Sequence, residues 1–354
     1  MGNLVFSNVK INQTKKDIGL DIPELRLPLD NIIAVVGAKA AGKSNFLDVI
    51  SGKIHAQSGT VTFDEPLNKG DLFYVSSTTY EPEFSTVKDL MDKTEKEYPN
   101  FSRDVALKYF NAMEIPVDKI KYRNFNRMVQ TAINCILAIA SRARITMLDQ
   151  PCRNMHMKLR EMLYGFAKED YEEFKRTIFI SSNIAIDIDN FVSYVVYLRK
   201  GEVVFGMPYE EVDSFAVGLL GRNEVIKEYA GRAEVFYSAN EENNLVHKIV
   251  SNNLSLDAMK QLQLNGVITQ YVNLVNFHTY VVKEDFGFEE KARIREEEEK
   301  LKAEKRAAKQ NKKKKKNVTM VAKTDDVSAA NVKKLEENKE TFGEKLKRIL
   351  TTPL

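Results

Sequence analysis

From Asn3 to Asp30 apolar and polar residues alternate: Leu4, Phe6, Val9 and Ile11, then Leu20, Ile22, Leu25 and Leu27. That period of two predicts a half-buried antiparallel sheet. An unbroken apolar run, Ile32 to Val36, then predicts a fully buried strand, followed by a glycine-bounded loop and an amphipathic helix from about Lys43. Short strands are expected at Thr60 to Phe63 and Asp71 to Ser76, and helices at Thr86 to Glu95 and over 102–115. Met128 to Arg142 has the spacing of a well-buried helix and feeds the strand Arg144 to Asp149. A helix over Leu159 to Phe174 and a strand over Thr177 to Ser182 follow. A hairpin, Phe191 to Leu198 and Glu202 to Phe205, turns at Arg199-Lys200-Gly201. Strands alternating with helices imply a largely parallel sheet with helices on both faces.

Beyond this the pattern predicts a small α/β appendage. Its expected elements are a strand at Glu234 to Tyr237, a helix at Asn243 to Asn252, a helix beginning at Leu256 and a strand at Phe277 to Lys283. Residues 289–316 are nearly all Glu, Lys, Arg and Ala and end in the lysine run Lys312 to Lys316, which reads as a solvated helix giving way to a linker. Thr341 to Glu344 carries a capping-box signature, and Phe342, Leu346, Ile349 and Leu350 share one face of a terminal amphipathic helix. The expected units are therefore 1–222, an α/β domain; 223–288, the appendage; and 289–354, the charged tail.

Composition sharpens this outline. In 354 residues, 43% hydrophobic content suffices for a large core. The net charge of +3 hides a division: from Glu289 onward there are 20 Lys and Arg against 13 Asp and Glu, and before it 33 against 37. A mildly acidic body does not suggest a nucleic-acid-binding core, and the tail lacks interleaved aromatics for base stacking. Cys135 and Cys152, both in apolar or motif segments, argue against a disulfide framework and for a reducing compartment. No signal peptide is read at the start, and no window holds 18 uninterrupted apolar residues.

The chemistry gathers in the stretch from Asn31 to Lys53. Its loop spells G-x-x-x-x-G-K-S, with Gly37, Gly42, Lys43 and Ser44 at phosphate-binding spacing and Ala38, Lys39, Ala40 and Ala41 between. Glycines let backbone N–H groups close round a polyphosphate at the positive end of a helix. Lys43 would reach the β- and γ-phosphates, and Ser44 would bind Mg²⁺. Asp149, ending a buried apolar strand, stands where a carboxylate would hold the Mg²⁺ shell. His55, His247 and His278 are scattered, without carboxylate or thiol at metal-ligand spacing.

Over about residues 3–215 the chain resembles ATP-binding cassette (ABC) ATPases. Besides the phosphate loop and the Asp149 strand, the likeness rests on Ser51 to Asp64, SGKIHAQSGTVTFD, and on the closing hairpin Val195 to Val212, VVYLRKGEVVFGMPYEEV. The resemblance implies an α/β P-loop NTPase of ABC ATPase type, a mixed sheet core with antiparallel β and helical subdomains. It also marks departures. Ser76-Ser77 replace the Q-loop glutamine, and the signature motif falls on Phe125 to Val129, with neither of its glycines. Gln150 stands for the catalytic glutamate, His156 for the D-loop aspartate and Asn183 for the switch histidine. Near Asn12 no aromatic offers itself for stacking on adenine. Ala40 occupies a common glycine position, and Asn45 replaces a hydroxyl residue after Ser44. A glutamine orients water but cannot accept its proton.

The resulting expectation is a protein that binds Mg-ATP through residues 37–45 and Asp149 and hydrolyses it slowly or not at all. It would serve as a regulatory or structural subunit of a membrane-associated complex. The alternatives are an active transporter ATPase and a scaffold without nucleotide. The resemblance implies a homo- or heterodimer with another ABC-type ATPase, membrane permease subunits as partners, and a cytoplasmic place, peripheral at the inner face of the membrane. The basic tail adds a possible anionic lipid contact.

Overall fold

The computed structural model describes residues 2–13, 18–76, 85–153, 155–188, 191–286, 299–300 and 303. The chain begins with β1 (Asn3–Ile11), β2 (Leu20–Pro28), β3 (Ile32–Val36), α1 (Lys43–Ile50), β4 (Ser58–Phe63) and β5 (Leu72–Val75). Then come α2 (Val87–Glu97), α3 (Arg103–Ala112), α4 (Arg127–Ala140), β6 (Ile145–Asp149), α5 (Met157–Glu173), β7 (Thr177–Ser182), β8 (Tyr194–Arg199) and β9 (Glu202–Pro208).

These strands form a nine-stranded sheet in the order β4-β1-β2-β9-β8-β3-β7-β6-β5. β8, β3, β7, β6 and β5 run parallel, whereas β1 pairs antiparallel with β2 and β4, and β8 antiparallel with β9. Every residue of β3, β6 and β7 is buried, which is why β3 reads as a continuous apolar run and none of the three shows a period of two. On one face Ala34, Val36 and Ile180 pack against Ile133, Leu137 and Leu163 of α4 and α5. On the other, Ile33, Val35 and Phe179 meet Phe46 and Leu47 of α1 and the β1–β2 layer. Asp170, 0% exposed, pairs with both Arg142 and Arg176 at 2.7 and 2.8 Å and ties α5 to the end of α4 and the start of β7. A helix and a strand end are thus fixed beneath the parallel strands whose other ends carry the site.

The second sheet contains β10 (Ala216–Arg222), β11 (Val235–Asn240), β12 (Leu245–Ser251) and β13 (Ile268–Tyr271), with α6 (Asn223–Ala230) and α7 (Leu256–Leu264) as connections. Its antiparallel order, β11-β12-β10-β13, is that of a split β-α-β-β-α-β unit. It begins at Ala216, ahead of the expected start of the appendage at 223. α6 and α7 cover one face through Ile226, Ala230 and Leu262. Against the other lies α8 (274–286), whose Phe277 stacks edgewise on Phe236 with ring centres 5.1 Å apart. Phe277 also meets Tyr197 of β8 at 5.0 Å and Phe205 of β9 at 5.6 Å, so α8 shares its core with the first sheet.

Two expected elements are corrected. Asn243 to Asn252 is not a helix but the strand β12, introduced by a turn in which Asn243 and Asn244 both have φ 59. β12 is central, paired by β10 and β11 and buried from both sides, so Val246, Ile249 and Val250 take a helix-like spacing. Conversely, Phe277 to Lys283 lies within α8 and is not a strand: β-branched Thr279, Val281 and Val282 mimic strand composition, while Leu274, Phe277 and Val281 bury one helical face. The expected tail elements after Phe286, including the lysine run and the terminal amphipathic helix, lie outside the described residues apart from 299, 300 and 303. Among the described residues no helix is long and apolar enough to cross a membrane.

Candidate functional site

α1 starts from Gly42, whose φ of 99° suits only glycine and which provides no side-chain cap. The first N–H groups of the helix are therefore left open toward the loop, the arrangement that receives anions. Gly37 is demanded by the fold itself, since a Cβ there would lie 2.3 Å from the Leu198 carbonyl oxygen. Ala40, by contrast, holds φ 58 with a side chain.

Lys43, only 4% exposed, donates to the carbonyls of Gly37 and Ala38 at 2.7 Å each. Burial pushes its pKa down to about 8, and the Asp149 carboxylate opposes that shift only in part. Asp149 is equally buried, and each oxygen accepts from a hydroxyl: Oδ2 from Ser44 at 2.7 Å, Oδ1 from Ser181 at 2.5 Å. Ser181 Oγ also accepts from the Gln150 N–H at 2.8 Å, fixing the residue after the strand in a left-handed conformation, φ 51. Asn45 turns its amide to the Ile18 carbonyl at 2.6 Å, tying the loop before β2 to the first turn of α1.

Lys39, Ala40, Lys43, Gln150, His156 and Asn183 line one cleft of about 560 Å³. The structure thus brings together the phosphate loop, the position after the Asp149 strand and the position after β7. Phe125 to Val129 is not among the cleft-lining residues. There Phe125 is buried and Asn126 caps α4, its Oδ1 accepting from the Val129 N–H at 3.0 Å. Ser76 follows β5, and Ser77 lies outside the described residues. Cys135 and Cys152 are both buried free thiols, and burial pushes Cys152 up to about 12.

A polyphosphate with Mg²⁺ fits these residues. Lys43 is a buried ammonium whose protonation burial opposes, and an anion in the cleft would restore it. Ser44 and Asp149 present a hydroxyl and a carboxylate on either side of one hydrogen bond, an oxygen pair suited to Mg²⁺.

His278, read from the sequence only as one of the scattered histidines, belongs to this region. It sits on α8, 1% exposed, with Nε2 3.1 Å from the Asn183 carbonyl oxygen and Nδ1 3.0 Å from the Tyr197 hydroxyl. These partners are 95 and 81 positions away, so no local spacing announces them.

The comparisons with known proteins agree with this geometry. Residues 20–153, from β2 to just beyond β6, match the family model described as ABC transporter. Over 207 residues the chain is 26% identical to the ABC transporter ATP-binding protein YtrB of Bacillus subtilis (strain 168), covering 57% of this chain and 69% of that protein. It is 22% identical over 214 residues to the lantibiotic transport ATP-binding protein SrtF of Streptococcus pyogenes, covering 57% and 91%. A solved ATP-binding subunit of an ABC transporter superposes with a TM-score of 0.51 at 14% identity, over 59% of this chain and 91% of that one.

Proposed function

The chain carries an ATP-binding domain of the ABC transporter family, and from that premise we propose that it binds Mg-ATP as a ligand and turns it over slowly or not at all. The observation that carries the proposal is the contrast within one cleft between Lys43 and Gln150. A scaffold would keep Gly37 for its contact with Leu198, but it would have no use for an ammonium that burial disfavours by about 3 kcal/mol. Gln150 has the opposite meaning: its amide can orient a water but not take its proton.

Gly37 to Asn45 would hold the phosphates through backbone N–H groups and Lys43, and Ser44 and Asp149 would hold the metal. Mg²⁺, when bound, would neutralise phosphate charge. Gln150 and Asn183 would orient groups at the phosphate end without moving a proton. In the cell the protein would act as a regulatory or structural subunit, paired with itself or another cassette and with permease subunits at the inner face of the membrane. Its basic tail would add weak contact with anionic lipid, and liposome co-sedimentation of full-length protein against a chain ending at Phe288 tests this.

Calorimetry with Mg-ATP tests the main claim. Binding that is lost in Lys43→Ala, with steady-state hydrolysis no faster than in that variant, is the expected result. Absence of binding at millimolar ATP would favour the scaffold. A second reading, turnover with a recruited base, draws on His156, whose exposed ring lines the same cleft. Hydrolysis above the Lys43→Ala background that His156→Ala removes would establish it.

A further inference from the structure

α8 reaches the cleft from outside the cassette strands. The Asn183 carbonyl can only accept, so His278 Nε2 carries the ring hydrogen and donates to it. Nδ1 is then bare and accepts from the Tyr197 hydroxyl. Both nitrogens are committed, and the tautomer is fixed by its partners. Burial, and after it the charge of Lys43, hold the ring neutral, with a pKa of about 4.

Two turns further along, Asp285 pairs with Arg199 at 2.8 Å and with Lys200 at 2.8 Å. The next residue, Gly201, donates its N–H to the Ala41 carbonyl of the phosphate loop at 3.0 Å. One helix therefore grips the turn after β7 through His278 and, through Asp285 and the β8–β9 turn, the back of the phosphate loop. Beside the first grip, Phe277 packs against Tyr197 and Phe236, so the same helix is seated on the second sheet.

We infer that His278 is a positioning residue that holds Asn183 at the phosphate end of the cleft and couples nucleotide binding to the seating of α8 on the C-terminal sheet. The inference rests on the nucleotide-binding reading above. Apolar packing through Phe277 and Val281 would suffice to anchor α8. The hydrogen bond to Asn183 adds something packing does not: it places a cleft residue that follows the end of a strand. Because coupling is reciprocal, ATP should protect α8, and loosening α8 should weaken ATP. The effect should fall on the triphosphate, because Asn183 lines the cleft with Lys43 and Gln150, the residues placed above at its phosphate end, whereas ADP would be held by the loop and α1.

The test uses the full chain and has two arms. Without nucleotide, amide exchange of residues 183–188 should rise about tenfold or more in His278→Phe while β3 and β7 stay protected, and His278→Gln, which can donate and accept, should restore it. Unchanged exchange, or a rise spread over the whole chain, would overturn the clamp. In the second arm the Kd values for Mg-ATP and Mg-ADP are measured by calorimetry. His278→Phe should weaken ATP by roughly 5- to 100-fold, the usual range for coupled sites, with ADP changed less than about twofold. Tyr197→Phe, which removes only the hydroxyl, should lower the same ratio by less and serves if His278→Phe does not fold. An unchanged ATP-to-ADP ratio in both variants would overturn the coupling. A wild-type chain that binds neither nucleotide would remove the function proposed above and the coupling with it, while the exchange arm judges the clamp by itself.

Discussion

The N-terminus of α1 carries the phosphate loop and that of α4 the stretch on which the resemblance places the signature motif, and the chain finishes them differently. α1 begins at a left-handed glycine with no side-chain cap, beside a buried lysine. α4 begins at Asn126, which satisfies the Val129 N–H itself, with Arg127 and Met128 at the positions where glycines would bring the backbone close to a ligand. Both helices have the same dipole. What separates them is whether the first N–H groups are already taken and whether Cβ atoms stand in the way. A helix N-terminus is an anion site only when the sequence leaves it unfinished. Here the terminus at the phosphate loop is left open, and the one at the signature position is capped by its own side chain.

The strongest way to break this comparison is to rebuild what is closed. In a homodimer, one of the pairings proposed above, Gln150→Glu alone is expected to leave hydrolysis near background, because the α4 terminus of the second copy would still lack the glycines that let a backbone approach a phosphate. Combined with Arg127→Gly and Met128→Gly it should raise the rate by about 10²- to 10⁴-fold, the usual contribution of a general base. A single Gln150→Glu that reached the full rate would show that the closed terminus is irrelevant.

Next in size is Lys43→Met, expected to weaken Mg-ATP by roughly 10- to 100-fold through loss of a charge-assisted contact. The same change should stabilise the ligand-free protein. Lys43 has a folded pKa below its unfolded one, so the unfolded chain binds the extra proton. The penalty is therefore fully present below about pH 8 and disappears as the pH rises toward 10.5. Two carbonyls lose their donor, which offsets part of it, so a gain of about 1–2 kcal/mol at pH 7 is expected. Denaturant unfolding at pH 7 and pH 10 should show that gain shrinking at the higher pH.

Much of this was legible before the structure, for physical reasons. The phosphate loop is built from consecutive residues, and its strand and helix neighbours are long enough to show their periods. Asp149 was visible because the strand it ends is buried on both faces. β12 and α8 were exchanged because their patterns answer to tertiary surroundings: β12 lies between two other strands, and α8 carries Thr279, Val281 and Val282 on a helix. The sequence showed that Phe125 to Val129 lacked glycines, but not that Asn126 would close the terminus with its own side chain. Asn45 looked like a bare departure until its bond to Ile18 explained it. His278 was illegible altogether, since its partners, Asn183 just past β7 and Tyr197 within β8, lie 95 and 81 positions away in sequence.

A smaller test concerns the cap itself. Asn126→Ala removes the acceptor for the Val129 N–H and is expected to cost about 1 kcal/mol of stability. If α4 has no part in this chain's own nucleotide site, the Kd for Mg-ATP should stay within about twofold, as measured in the same calorimetric cell. A parallel loss of affinity would mean the two termini are not independent.

The smallest effect is expected at Ala40, and it refines the comparison on the open side. Ala40 holds φ 58, where a Cβ crowds the backbone and an L-residue is disfavoured by roughly 1–2 kcal/mol. Glycine removes that strain but gains freedom in the unfolded chain, which returns about 0.4–1 kcal/mol. Ala40→Gly should therefore stabilise the ligand-free protein by only a few tenths to 1 kcal/mol, seen as a rise in the midpoint of denaturant unfolding. Its effect on binding is the more telling measurement. If the strained alanine preorganises the loop, the glycine variant should bind Mg-ATP two- to fivefold more weakly despite being more stable. If stability and affinity rise together, the alanine is a steric departure that the site tolerates. The open terminus then owes its shape to Gly42 and Lys43 alone.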